Sequence, residues 1–278
     1  MDEKGTPDTK KSFGVNYSTL AYHCFRCGVG GKLKEVPEGL LADEADEILD
    51  EPRKDNLPNL GPPSDFLLLA DEPALSALSA QSARDYMLSR GLGLDIWRTA
   101  HIGVCLSGWL EGRIIVPVMA TGNPNFYGGN WQGWVGRSIP GEPAQVGKPK
   151  YLYPKGMPRG TALYNQQALS VVTSTPVIVV EGVFDALTLW PNAVAVLGKP
   201  TETHAWMLSK AHRPVVVVLD GDAHEEGEMF ARKLRVMGQT TGWVNLPPEK
   251  DPDQVDKEWL LDQIADSIEL PREIQRQR

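Results

Sequence analysis

The sequence predicts an α/β protein: a mixed α+β N-terminal subdomain followed by a parallel-sheet subdomain. Three observations lead there. From residue 171 onward, apolar β-branched runs alternate with helical stretches, the texture of strands covered on both faces by crossover helices. Before that, short β-branched and Gly/Trp-rich pieces are separated by turn residues, as in a small antiparallel or mixed sheet. The chain is also 278 residues long and 41% hydrophobic, enough for a full core without a disulfide scaffold. Its three cysteines, Cys24, Cys27 and Cys105, suit a reducing compartment.

Along the chain, Phe13, Val15 and Tyr17 alternate with Gly14, Asn16 and Ser18, which reads as a strand of a small hairpin ending in the Cys24-x-x-Cys27 knuckle. Residues 1–33 are therefore a first module. Residues 34–63 are acidic and Pro-bearing and read as a linker. Residues 73–90 space Leu75, Leu78, Ala83, Tyr86 and Met87 at helical intervals, with Gly91 as a stop, and a short helix starts at Asp95. RIIVPV, GWVGR and KPKYLYP follow as short strands, completing a subdomain over 64–168. Within 169–250, VIVV, AVAVL, VVVVL and GWVNL read as strands, and VFDALTLW, THAWMLSKA and EEGEMFARKLRVMG as the helices between and behind them. Residues 251–278 hold an acidic segment and a last helix, WLLDQIADSI.

The formal net charge is −8, which argues against a histone-like polyanion binder. The charge is unevenly spread. From Val36 to Leu75 eleven acids face only Arg53 and Lys54, whereas from His101 to Ser170 the bases Arg113, Arg137, Lys148, Lys150, Lys155 and Arg159 face only Glu111 and Glu142. The middle of the chain is thus a candidate contact surface for polyanions. No apolar run approaches the roughly 18 residues of a membrane span, and the N-terminus carries no signal-peptide core. A cytoplasmic protein without membrane contact is expected.

In open parallel sheets, ligands sit beyond the carboxyl ends of the strands. Here VIVV runs into Glu181-Gly182, VVVVL into Asp220-Gly221-Asp222, and GWVNL through two prolines into Asp251-Pro252-Asp253. Asp185 follows Glu181 by one helical turn. Six carboxylates on one rim repel one another unless cations lie between them. Oxygen ligands without His or Cys point to Mg²⁺ or Mn²⁺ rather than zinc. Magnesium keeps few carboxylates and completes its shell with water and phosphate, so the rim is expected to load fully only with nucleotide present.

VIVVEGVFDALTL, VAVLGKPTETHAWML and VVVVLDGDAHEEGEMFARKL together resemble the Toprim domain of topoisomerases and primases. LPPEKDPDQV resembles the Asp-Pro-Asp segment of the bacterial and phage DNA primases. YMLSRGLGLDIWRTAHIG, GRIIVPV, GWVGR, KPKYLYP and GTALYN resemble, in the same order, the basic part of their RNA polymerase domain. YHCFRCGVGG resembles the second half of their zinc-binding module. The resemblance covers about residues 12–255, and its colinear order makes it specific. It implies template-directed synthesis of short RNA primers from NTPs on single-stranded DNA, with a replicative helicase as partner, in a bacterial or phage-infected cell. It assigns Glu181, Asp185, Asp220, Asp222, Asp251 and Asp253 to a cluster holding two or more Mg²⁺ or Mn²⁺ ions, with Glu181, Asp220 and Asp222 as the catalytic set. Arg113, Arg137, Lys148, Lys150, Lys155 and Arg159 become nucleotide- or template-binding residues. Phe126, Tyr127, Trp131, Trp134, Tyr151 and Tyr153 interleave with them as candidate platforms for bases.

The chain departs from that family twice. A structural zinc needs four ligands, and Cys24 and Cys27 form one knuckle with none before it. The chain as given begins inside the module, so a complete zinc site is not expected within it. After Asp222, His224, Glu225 and Glu226 intervene before Gly227, where relatives place a short Ala-Gly pair. His224 and Lys199, which follows Gly198, are candidate phosphate contacts or solvated turn residues. Two other functions use the same fold: a Toprim nuclease that hydrolyses phosphodiesters, and a non-catalytic single-stranded-DNA-binding or replication-loading factor. The absence of a Walker A sequence means that no helicase motor is present in these residues.

Overall fold

The computed structural model describes the backbone of residues 13–16, 21–24 and 30–32, and residues 60–120 and 131–268 apart from 73, 75 and 76. The chain divides into two compact units, Met1–Asn56 and Leu57–Arg278. In the first, β1 (Phe13–Asn16), β2 (Ala21–Cys24) and β3 (Gly30–Lys32) form an antiparallel sheet in that order. The expected hairpin is there. Cys27, the side chain of Cys24, and the linker up to residue 59 lie outside the described residues.

The second unit holds two sheets. The first is antiparallel, with β4 (Phe66–Leu68), β5 (Gly103–Cys105), β6 (Ile114–Met119), β7 (Trp131–Arg137) and β8 (Tyr151–Leu152) in sequence order. Between β4 and β5 lie α1 (Gln81–Ser89), which buries Ala83 and Met87, and α2 (Leu94–Thr99), which buries Trp97. The Trp97 indole N–H donates to the Leu92 carbonyl at 2.6 Å, giving this large side chain its one polar partner. The Cys105 thiol is fully buried in β5, and burial pushes it up to about 12, so it is an inert core group.

The second sheet is parallel and is ordered β10-β9-β11-β12, with β9 Val177–Val180, β10 Ala193–Ala195, β11 Val215–Val217 and β12 Thr241–Trp243. Its strands are short and almost wholly apolar because both faces are covered. Ile178, Val180, Val216 and Val218 point into one core, shared with Val104, Ile114, Val116 and Val118 of the antiparallel sheet. Val177, Val179, Val215 and Val217 point into another core, against Ala205, Leu208, Phe230 and Leu234. The helices divide accordingly. α3 (Val183–Thr188) and α6 (Lys257–Ser267) pack on the shared core, and α4 (Glu202–Leu208) and α5 (His224–Val236) on the opposite face. The chain leaves β9 toward β10 on one side and returns past β9 to β11 on the other. The switch point therefore lies between the carboxyl ends of β9 and β11, where open α/β sheets bind their ligands.

Two arginines brace this architecture. Arg213 donates to the carbonyls of Thr175 and Ala168 and to Asn192 Oδ1, fastening the amino ends of the parallel strands. Arg113, expected from its basic neighbourhood to bind nucleotide or template, is 0% exposed. Its guanidinium donates to the carbonyls of Gly136 at 2.8 Å, Pro149 at 2.6 Å and Lys150 at 3.4 Å. That expectation is corrected: Arg113 holds the approach of β8 against β6 and β7 and presents no donor to solvent. Replacing it by Met leaves those carbonyls without a donor. Arg113→Met is expected to lower stability by about 2–4 kcal/mol, read from urea unfolding.

Candidate active site

The strand ends deliver their acids as the sequence pattern requires. Glu181 ends β9, and its carboxylate Oε1 accepts the Asp220 N–H at 3.3 Å, across the switch point. Asp220 and Asp222 flank Gly221 at the end of β11. A Cβ on Gly221 would collide with the Pro247 carbonyl oxygen, and the Gly221 N–H donates to the Lys250 carbonyl at 2.8 Å. Only glycine allows the 247–250 loop to close onto this strand end. That closure carries Asp251 onto the rim. Asp185, in the first turn of α3, folds back over the helix start; a Cβ on Gly182 would stand 2.5 Å from its Oδ2.

The electrostatics record the convergence. Asp220 is pushed up to about 8, first by burial and then by Glu181, Asp185, Asp251 and Asp222. Asp185 rises to about 6 through burial and Asp251, partly offset by Arg90 and nearby backbone amides. Glu181 is raised by burial and by Glu226, Asp222 and Asp185, against the Asp220 amide. One oxygen of Asp220, Oδ1, is buried without a partner. Among the described residues no three His, Cys, Asp or Glu side chains stand close enough to cage a metal ion by themselves. A buried orphan oxygen among mutually repelling carboxylates nevertheless fits a hard divalent cation that shares its shell with water and phosphate.

Asp253 behaves differently from its neighbours. Its side chain is 4% exposed and forms an ion pair with Arg90, at the end of α1. It lines a small pocket with Arg90, Leu92, Leu189 and Leu260, and its Oδ1, like that of Asp220, is buried without a partner. Arg90 was not singled out from sequence, where it looks like one more basic residue before a helix-ending glycine. The structure makes it the tie between α1 and the Asp251–Gln254 turn, and a positive neighbour of Asp185.

Facing Asp185 is a wall of rings and one cation. Arg137 is 7% exposed and donates to Tyr86 Oη at 2.8 Å. Its guanidinium lies 4.8 Å from the Tyr151 ring centroid and 5.5 Å from that of Phe184. Tyr151 is raised to about 12, by burial first and by Asp185 among lesser causes, with Arg137 opposing. This wall joins the basic strands of one sheet to the acidic rim of the other. Outward from it, Lys150 lies over Tyr151 and Arg159 over Tyr153. Lys148 lies over Trp109 and donates to its carbonyl, and Lys155 is exposed. Trp131 is buried edge-on against Phe66, so it is a core residue and no platform for bases. Trp134, Tyr151 and Tyr153 are half-buried, and Phe126 and Tyr127 lie outside the described residues. His224 pairs with Asn245 Oδ1 at 2.8 Å and packs on Trp243.

Residues 178–256, the parallel sheet and its rim, match the Toprim-like family. A DNA primase of Legionella pneumophila is 26% identical over a 305-residue alignment that covers 88% of this chain and 51% of that protein. The chain thus spans about half the length of the curated relative it matches. The solved Aquifex aeolicus primase, comprising zinc-binding and RNA polymerase domains, superposes with a TM-score of 0.56 at 23% identity, covering 96% of this chain and 78% of that one. The DnaG primase catalytic domain bound to single-stranded DNA gives 0.56 at 22% identity, covering 70% and 77%. The RNA polymerase domain of the Mycobacterium tuberculosis primase with double-stranded DNA gives 0.53 at 20%, covering 69% and 75%. The fold is that of bacterial-type primase catalytic cores, and the resemblance read from the sequence is borne out.

Two outcomes follow from this geometry. Asp220 and Asp185 hold protons more tightly folded than unfolded, so their stabilising effect is present at low pH and is lost as pH rises through about 6 and then about 8. The metal-free protein is expected to melt several degrees lower at about pH 8.5 than at about pH 5. Mg²⁺ should restore the difference at high pH and do little at low pH, as read by thermal scans. Gly221→Ala should lower stability by about 1–3 kcal/mol and displace Asp251, seen as a weakened response of the melting temperature to Mg²⁺.

Proposed function

We propose that this chain is the catalytic part of a DNA primase, making short RNA primers from NTPs on a single-stranded DNA template. The observation that carries the reading is the apposition of Glu181 and Asp220 across the switch point, with Asp185, Asp222 and Asp251 in electrostatic reach. Beside them stand the aromatic and basic residues of the neighbouring sheet.

The 3′-hydroxyl of the initiating nucleotide or primer attacks the α-phosphorus of the next NTP. A new P–O bond forms, the bond to the β-phosphate oxygen breaks, and pyrophosphate leaves. Glu181, Asp220 and Asp222, with Asp185 and Asp251 behind them, are the residues that would hold the divalent cations. Bound there, Mg²⁺ or Mn²⁺ lowers the hydroxyl pKa and neutralises the charge that develops on the phosphoryl oxygens. Glu181, raised by burial and by its acidic neighbours, is suited to take the hydroxyl proton. Arg137 steadies the wall through Tyr86 and Tyr151. Lys150, Arg159, Lys148 and Lys155 line the approach for template and nucleotide phosphates, and Tyr151 and Tyr153 offer ring faces to bases. Asp253 acts through Arg90 to hold the turn that presents Asp251. Relatives solved with single-stranded and double-stranded DNA support a nucleic-acid template. A replicative helicase is the expected partner and the cytoplasm the expected place of work. Among the described residues no helix is long and apolar enough to cross a membrane.

The test is a denaturing gel after incubation with Mg²⁺ or Mn²⁺, labelled NTPs and varied single-stranded templates. Short, template-dependent RNA is expected, reduced roughly 100-fold or more by Glu181→Gln or by Asp220→Ala, as for loss of groups acting only in the transition state. Cleaved DNA in the absence of NTPs would make the protein a nuclease. DNA retention without product, unchanged by Asp220→Ala, would make it a loading factor.

A further inference from the structure

The turn that follows β10 stands beside the rim and has no role in the reading above. Leu197, buried at 4% exposure, adopts φ 61° and Gly198 φ 128°. A branched side chain in the left-handed region is held there only by its surroundings, and such positions cluster at functional sites. The surroundings are firm on both sides. The Leu197 N–H donates to the Glu181 carbonyl at 3.0 Å, so the turn is fastened to the strand end that carries the key carboxylate. Beyond it, Thr201 and His204 close a capping box at the start of α4. Thr201 Oγ1 donates to the Gly160 carbonyl at 2.7 Å, and the buried His204 ring meets the Ala162 carbonyl at 3.0 Å.

Between these anchors, the amides of Gly198 and Lys199 have no hydrogen-bond partner among the described residues. The Lys199 side chain is 83% exposed and reaches Glu226 Oε2 at 3.1 Å, across a depression that Asp222 and His224 also line. Glu226 is close enough to Glu181 to raise it. The Lys199–Glu226 pair therefore lies beside the mouth of the site. Successive free amides in a left-handed turn form an anion cradle, and an exposed ion pair is held weakly enough to exchange. Three cations nearby are committed: Arg137 to Tyr86 and its rings, Arg90 to Asp253, and Lys233 to Glu202.

We propose that the Leu197–Lys199 turn is a triphosphate-binding element for the incoming nucleotide, and that Glu226 holds the Lys199 ammonium until the nucleotide displaces it. The inference rests on the polymerase reading and names the residues that would grip its substrate. The exchange also separates the positive Lys199 from Glu226 at the moment when cations shared with the phosphates neutralise the rim.

The test is calorimetric titration of a non-hydrolysable NTP analogue, with Mg²⁺, into the full chain, paired with KM and kcat for primer synthesis. Lys199→Ala is expected to weaken binding roughly tenfold or more and to raise KM in step, with kcat little changed. Glu226→Gln frees the lysine and should tighten binding roughly two- to fivefold. The double variant should match Lys199→Ala alone. If the parent binds the analogue and every variant stays within about twofold of it, this inference falls while the polymerase reading stands. A parent that neither binds nucleotide nor makes RNA overturns both.

Discussion

The mutual repulsion of carboxylates gathered at the ends of two adjacent strands is the constraint around which the second unit is organised. Asp220 is half-buried, has an oxygen without a partner, and senses four other acids. Left to themselves such groups would spread apart. They are kept together by strands whose valines are fully buried on both faces, and by a glycine that lets the loop carrying Asp251 close on its neighbour. The apolar burial is large and distributed, whereas the repulsion is confined to one rim, so the core prevails without local adjustment. The unfavourable charge is consequently stored where a cation would relieve it, and on the proposed function that storage is the source of cation affinity at the rim.

The antiparallel sheet contributes the opposite charge under close control. Arg113 is buried on backbone carbonyls, Arg137 is enclosed by three rings, and Lys150 and Arg159 lie over tyrosines. A guanidinium or ammonium packed on a ring face keeps its charge while losing mobility. The basic surface is thus ordered without being neutralised by the nearby acids. Arg90 is paired with Asp253, whose side chain is buried. Direct pairing of Arg137 with Asp185 would have cancelled the two halves of the site; Tyr151 and Phe184 beside Arg137 keep that cation in the ring wall.

The parallel sheet and its switch point were legible in the sequence because each depends on a local pattern, and that pattern brings Glu181, Asp185, Asp222 and Asp251 into electrostatic reach of Asp220. A β-branched run followed by acid-Gly is a strand end whichever side chains surround it. The helix at 183–188 falls within a stretch read as helical, and those at 202–208 and 224–236 each start one residue before theirs. The roles of individual bases were not legible. Arg113 and Arg137 sit in similar Gly-flanked contexts, yet one lies wholly beneath the sheet and the other against rings, because alternate strand residues face opposite sides and the pairing partner decides what each side meets. Arg90 and Asp253 are far apart in the chain, and nothing in either neighbourhood signals the other. Asp251 and Asp253 share one Asp-Pro-Asp segment, with Pro252 buried in a short 3-10 turn, and no sign in the sequence marks Asp253 as the one that pairs with Arg90.

The separation of a caged basic surface from an uncaged acidic rim has a consequence for the order of events. A polyanion approaching the rim alone meets like charge, and a cation approaching alone must fill most of its shell with water, because no three ligating side chains converge among the described residues. Each would supply what the other lacks: phosphate oxygens would replace water on the cation, and the cation would cancel the field that repels the phosphate. On the proposed function, nucleotide and metal affinities are coupled, and by linkage each strengthens the other by the same factor. Protonation of Asp220 competes with the cation for the same charge, so the coupling grows as pH rises through about 8. The stability lost by the bare rim at high pH and the binding gained there have one physical origin, the concentration of carboxylates around the end of β11.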